Sequence, residues 1–255
     1  FSHGVTSGDI DSDGDIDLFV TQNGANFNIP HYFLINDGKG KFTKVPDGQL
    51  LDKSLSFLSN TSGNKRRNFY FDAGLEFVDD DDKLDLILLS GKLQGAENNR
   101  IVFGSNSGFK LNNAIELQPG RFNSRSMGVN YLLADIDDDG DKDILLLHAT
   151  SSGHSWGGTD LQVLIQEENR KFIDKSDFYF PGVVFDYGTW GMYLNLIDLN
   201  NDDKKDIVIT AFNGIDDPFK QGDKKGIPKV FIRQDDGSFR PLNNDLLTGG
   251  EKFTL

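Results

Sequence analysis

The chain has 255 residues, no cysteine, and 40 acidic residues against 26 lysines and arginines, for a formal charge of −14. That balance argues against a nucleic-acid backbone as partner, which needs a basic face, and the lack of cysteine excludes disulfide and thiol chemistry. No run approaches the roughly 20 apolar residues of a membrane span, while 37% hydrophobic residues fit a globular chain able to bury a sizeable core.

The first predicted element is an acidic loop, with Asp9, Asp11, Asp13, Asp15 and Asp17 at alternate positions and Gly14 among them, which runs into the apolar strand Leu18, Phe19, Val20. A hairpin follows at 32–42, where Tyr32 to Ile35 is apolar, Asn36, Asp37, Gly38 and Gly40 form a polar turn, and Phe42 resumes. The same order recurs from residue 77, with Asp79, Asp81, Asp82, Lys83 and Asp85 before Leu86, Ile87 and Leu88, but Phe77 stands where the first acid belongs. A looser hairpin is expected at 100–109. A third loop, with Asp135, Asp137, Asp139, Gly140, Asp141 and Asp143, precedes Ile144 to Leu147, and a hairpin follows at 163–172. The fourth, with Asp198, Asn200, Asp202, Asp203, Lys204 and Asp206, precedes Ile207, Val208 and Ile209, with its hairpin at 230–239.

Each unit reads as strand, acidic loop, buried strand, variable loop, strand, turn, strand. Four such units are expected, at about 1–67, 68–126, 127–189 and 190–255. Helical periodicity is nearly absent. Four-stranded repeats that cannot bury a face alone stack as the blades of a propeller, so the fold class is all-β, one β-propeller domain. Oxygens at positions 1, 3, 5, 7 and 9 of a tight loop suit a hard cation needing six to eight of them, which is Ca2+. An EF-hand is excluded, because it needs flanking helices and Glu at position 12, where Val20 and Leu146 stand. Position 6 needs a left-handed backbone, which Gly14 and Gly140 supply freely and Asp82 and Asp203 tolerate.

These loops, with the Asn36–Asp37–Gly38–x–Gly40–x–Phe42 hairpin, resemble the FG-GAP or VCBS-type repeat family, whose blades also occur in the integrin alpha-subunit propeller. The resemblance implies side-chain ligands at positions 1, 3, 5 and 9. It implies backbone ligands at position 7, which are Asp15, Asp141 and Lys204, and Lys83 in the degenerate copy. Three calcium sites follow, with a fourth at 77–85 left open. The ions would be structural. Family propellers commonly have seven blades, so this chain is either a small closed ring or consecutive blades of a longer one. Phe1 in place of Met implies that an upstream segment has been removed.

The long loops at 22–31, 91–99, 150–159 and 212–228 are expected on the face opposite the calcium loops. His154, Trp156 and Trp190 fall there and are the candidate ligand-binding residues, although Trp190 also fits as packing between blades. A Trp in a Gly/Ser loop needs something to stack on, and a sugar ring suits it. No zinc spacing, nucleophile elbow or phosphate loop is present, so no catalytic residue is named. The resulting expectation is a secreted or cell-surface recognition module, binding carbohydrate or a protein partner. A polysaccharide lyase and a purely structural domain are the alternatives.

Overall fold

The computed structural model describes residues 2–22, 31–59, 65–67, 70–90, 98–121, 126–151, 156–183, 191–211 and 229–242. Among them lie four four-stranded antiparallel sheets, each a meander of consecutive strands. The first holds β1 (Ser2–Gly8), β2 (Asp17–Gln22), β3 (Tyr32–Asn36) and β4 (Phe42–Lys44). A single helical turn, α1 (Lys53–Ser56), and a small hairpin, β5 (Phe57–Ser59) with β6 (Lys65–Arg67), follow it. The second sheet holds β7 (Tyr70–Glu76), β8 (Asp85–Ser90), β9 (Arg100–Val102) and β10 (Ala114–Glu116). The third holds β11 (Ser126–Ala134), β12 (Asp143–Ser151), β13 (Trp156–Glu168) and β14 (Lys171–Asp174), followed by the turn of helix α2 (Ser176–Tyr179). The fourth holds β15 (Gly191–Ile197), β16 (Asp206–Ala211), β17 (Lys229–Arg233) and β18 (Phe239–Pro241).

Consecutive sheets pack face to face. β1 lies against β7, β7 and β8 against β11, and β11 and β12 against β15. The continuous apolar runs of the second strands are explained by this stacking, since alternate side chains point to opposite faces. Leu86 and Leu88 of β8 pack with Phe19, Phe33 and Leu75 toward the first sheet. Ile87 and Leu89 pack with Ile144, Leu146 and Leu164 toward the third. Leu145 and Leu147 of β12 continue the pattern, meeting Ile207, Ile209 and Phe231 of the fourth sheet. Polar bonds cross the same seams: Leu75 N–H donates to Thr6 Oγ1 at 3.0 Å, and Leu194 N–H to Asn130 Oδ1 at 2.9 Å. At Gly74 any Cβ would lie 1.5 Å from the Tyr131 hydroxyl, and that opening lets Tyr131 reach Glu76 Oε1 at 2.9 Å.

Two local expectations are corrected. The span 150–159 is not one loop, because β12 runs to Ser151 and β13 starts at Trp156, its register partner. Phe109 does not resume the hairpin of the second unit. It pairs with Leu51 and stacks on Phe33 at 5.4 Å, filling the seam, while the fourth strand comes later, at β10.

Candidate metal centres

Each acidic loop joins the first and second strands of its sheet, and its ninth residue is fully buried at the start of the second strand: Asp17, Asp85, Asp143 and Asp206 are all 0% exposed. One carboxylate oxygen of each accepts the N–H of loop position 2, from Ile10 (2.9 Å), Val78 (3.0 Å), Ile136 (2.7 Å) and Leu199 (2.9 Å). The other accepts an N–H at the end of the third strand or just beyond it, from Asn36 (2.8 Å), Gly104, Gln166 and Arg233 (each 2.9 Å). Position 9 is therefore a brace between loop and hairpin as well as a candidate ligand. Each carboxylate oxygen keeps a lone pair beyond its N–H bond.

Position 1 shapes the loop. Asp9 accepts N–H bonds from Asp13 (3.1 Å) and Gly14 (3.0 Å), and Asp135 accepts them from Asp139 and Gly140 (both 3.1 Å). Asp198 does the same for Asp202 (3.3 Å) and Asp203 (3.0 Å). Position 5 accepts the N–H of position 7: Asp13 from Asp15 at 3.0 Å, Asp139 from Asp141 at 2.9 Å and Asp202 from Lys204 at 3.0 Å. These three loops share a left-handed backbone at positions 4 and 6, with φ of 64° and 93° at Ser12 and Gly14, 64° and 101° at Asp138 and Gly140, and 59° and 65° at Asn201 and Asp203. A Cβ on Gly14 or Gly140 would meet nothing within 4 Å, so these glycines answer to φ alone.

The electrostatics fit a cation. Carboxylate oxygens of Asp9, Asp11 and Asp13 lie within 4.8 Å of one another, as do those of Asp135, Asp137 and Asp143. Burial, followed by the charges of neighbouring aspartates, raises the Asp11, Asp15 and Asp137 carboxyls above their usual range. Convergent oxygens that repel one another are what a hard divalent ion neutralises. In the fourth loop Asn200 Oδ1 accepts the Asp202 N–H at 3.2 Å while its amide nitrogen donates to Asp202 Oδ2 at 3.1 Å, so position 3 presents an oxygen inside the loop. The Lys204 ammonium meets Asp235 at 2.5 Å, away from the loop's own acids, leaving position 7 its carbonyl.

The loop at 77–85 differs. Asp79, Asp81 and Asp85 do converge within 4.8 Å, but neither Asp80 nor Asp82 has a positive φ. The expectation that Asp82 takes the left-handed conformation is thus overturned. Without a position-1 carboxylate, Asp79 instead accepts the Asp81 N–H at 2.9 Å, and Asp81 accepts that of Lys83 at 2.8 Å.

Residues 135–209 match the model of the FG-GAP-like repeat family. The matched segment takes in the third acidic loop and reaches the second strand of the fourth sheet, so the FG-GAP-like repeat spans a seam between sheets. No curated protein matches the sequence. Among solved structures, the Bacillus licheniformis rhamnogalacturonan lyase PL11 is similar at 13% identity with a TM-score of 0.40, covering 81% of this chain; the chain spans 39% of that protein.

Of the candidate ligand-binding residues, His154 and Trp190 lie outside the described residues, and Trp156 is placed as the first residue of β13. Two features had no sequence signal. A cleft of about 720 Å³ opens between the first two acidic loops, lined among others by Asp11, Ile16, Phe77, Lys83 and Asn106. At the other end of the third sheet, the cross-strand partners His148 and Asp160 are buried together, and His148 Nε2 lies 3.0 Å from Gln162 Oε1. Burial pushes His148 down to about 4 and Asp160 up to about 6, the latter against the pull of Arg121. Their separation in sequence hid this pairing, which only the β12–β13 register creates.

Proposed function

We propose that the chain is a set of consecutive propeller blades whose loops at 9–17, 135–143 and 198–206 each hold a Ca2+ ion, and that it serves outside the cell as a recognition module. The observation that carries the reading is the shared geometry of those three loops: alternating oxygen donors with left-handed backbone at positions 4 and 6. Side chains of positions 1, 3, 5 and 9 and the carbonyl of position 7 would hold each ion. The ion supplies charge neutralisation and pins the loop to its hairpin. Exposed apolar residues on the outer faces of the end sheets (Val5 at 61%, Tyr193 at 60% and Ile197 at 46%) support a ring of more than four sheets. An extracellular setting suits weak calcium sites, which fill where the ion is plentiful.

The ligand is a carbohydrate or a protein partner bound by the face opposite the acidic loops, near Trp156, with His154 and Trp190. Binding surfaces are built from variable loops on a rigid scaffold, and the calcium-braced sheets supply that scaffold. A second reading places the ligand in the cleft beside Phe77, whose volume falls within the usual range for ligand sites. The test is binding of the purified chain to a glycan and polysaccharide panel, with calcium and with chelator. Binding abolished by Trp156→Ala supports the first surface, and binding abolished by Phe77→Ala supports the second. No binding to any glycan leaves the protein-partner reading standing, and degradation of a polysaccharide would replace both with an enzyme.

A further inference from the structure

We propose that the loop at 77–85 holds no calcium because Arg170, from the neighbouring sheet, is its resident cation. Arg170 lies in the turn between β13 and β14, itself in a left-handed conformation with φ of 67°. Its Nε donates to Asp79 Oδ2 at 2.5 Å, and a terminal nitrogen lies 3.3 Å from Asp81 Oδ2. These carboxylates occupy loop positions 3 and 5, where the other loops present oxygens for the ion. The Asp79 side chain is 1% exposed, so the guanidinium seals it from solvent. The planar group also lies over the Phe103 ring, 4.3 Å from its centroid, an arrangement suited to a weakly hydrated cation.

The rest of the site is adapted to this exchange. Phe77 has no carboxylate for position 1, and its carbonyl accepts a bond from Lys142 Nζ at 2.6 Å, a second cation from the third sheet. Gln166 holds the Arg170 turn by accepting its N–H at 3.0 Å, while its own amide reaches Val78 O at 3.5 Å. A cation of the fourth sheet, at the position equivalent to Gln166, acts differently on the third loop. Arg233 bonds the Ile136 carbonyl and approaches Asp138, at positions 2 and 4, and leaves positions 1, 3 and 5 of the third loop clear. One seam is thus closed by protein charge where the other three loops offer their oxygens to a metal.

This rests on the proposal that the other three loops take calcium, and the experiment separates the two. Calorimetric titration of the intact chain with calcium alone should count three ions, and Asp79→Asn should still count three. In chelator, Asp79→Asn and Arg170→Gln should each lower Tm. Their double variant should lose less than the sum of the two, because they share one interaction. Adding calcium should not change the Asp79→Asn loss. A fourth ion in the wild-type chain, an ion lost with Asp79→Asn, or additive losses in chelator would overturn the assignment. If Asp79→Asn does not fold, Asp81→Asn, whose carboxylate is 35% exposed, takes its place. If the wild-type chain binds no calcium, the three-site reading fails, and coupling in chelator alone decides the role of Arg170.

Discussion

The main-chain N–H of Gln166 donates to Oδ1 of Asp143 at 2.9 Å, tying the third strand of its sheet to the first residue of the second. The other oxygen of Asp143 takes the Ile136 N–H at 2.7 Å, so one buried carboxylate fixes both loop and hairpin. Its counterparts in the other three sheets make the same pair of bonds.

Asp143→Ala should therefore destabilise the chain with or without metal. It leaves two N–H groups short of their acceptor, and each orphaned buried donor costs about 1–3 kcal/mol. Urea unfolding in chelator should show a loss of about 2–6 kcal/mol on that basis. A loss seen only in calcium would mean that position 9 matters as a ligand alone.

Asp137→Asn should behave in the opposite way. Asp137 is exposed and does not brace the hairpin, so its substitution should leave the chelated chain nearly unchanged and remove part of the stabilisation that calcium adds. At an ion concentration 100-fold above Kd, one site contributes about 2.7 kcal/mol by linkage. Thermal melts across a calcium series measure it.

The metal-free chain should lose stability as pH rises from about 4 to about 6. Burial pushes the Asp85 and Asp143 carboxyls up to about 6 from the ordinary 3.8, so across that window the folded state binds more protons than the unfolded one. Their contribution is fully present below the unfolded value and is lost as pH passes the folded one. His148, lowered to about 4 by burial, works against this trend between about 4 and 6.5. His148→Gln should therefore steepen the decline. Chelated melts at fixed ionic strength check both slopes.

Leu88→Ala and Leu89→Ala should each cost about 2–5 kcal/mol as large-to-small core changes. They weaken different seams, since Leu88 packs toward the first sheet and Leu89 toward the third. Hydrogen exchange should show the loosened amides on opposite sides of β8 in the two variants.

The sheets and the three regular loops were legible in the sequence because period-two apolar runs and alternating acids are local patterns. Phe109 misled because an apolar residue after a turn looks like a resuming strand, and its stacking on Phe33 is a contact between sheets. Arg170 was invisible for the same reason: its partners Asp79 and Asp81 stand 91 and 89 residues away. Nothing local marks an arginine that works in another repeat's loop.

Because each sheet touches its immediate neighbours, its defects can be made good by the sheet beside it. The second repeat has parted with its first acid and with both left-handed turns, yet its carboxylates remain neutralised from next door. Repeats arranged in this way are free to drift singly after duplication, each relaxing its own motif as soon as an adjoining copy carries the matching charge. A scan for intact motifs would therefore undercount the repeats in such a chain, and the missing ones are to be sought where a lone basic residue stands in the hairpin turn of the next.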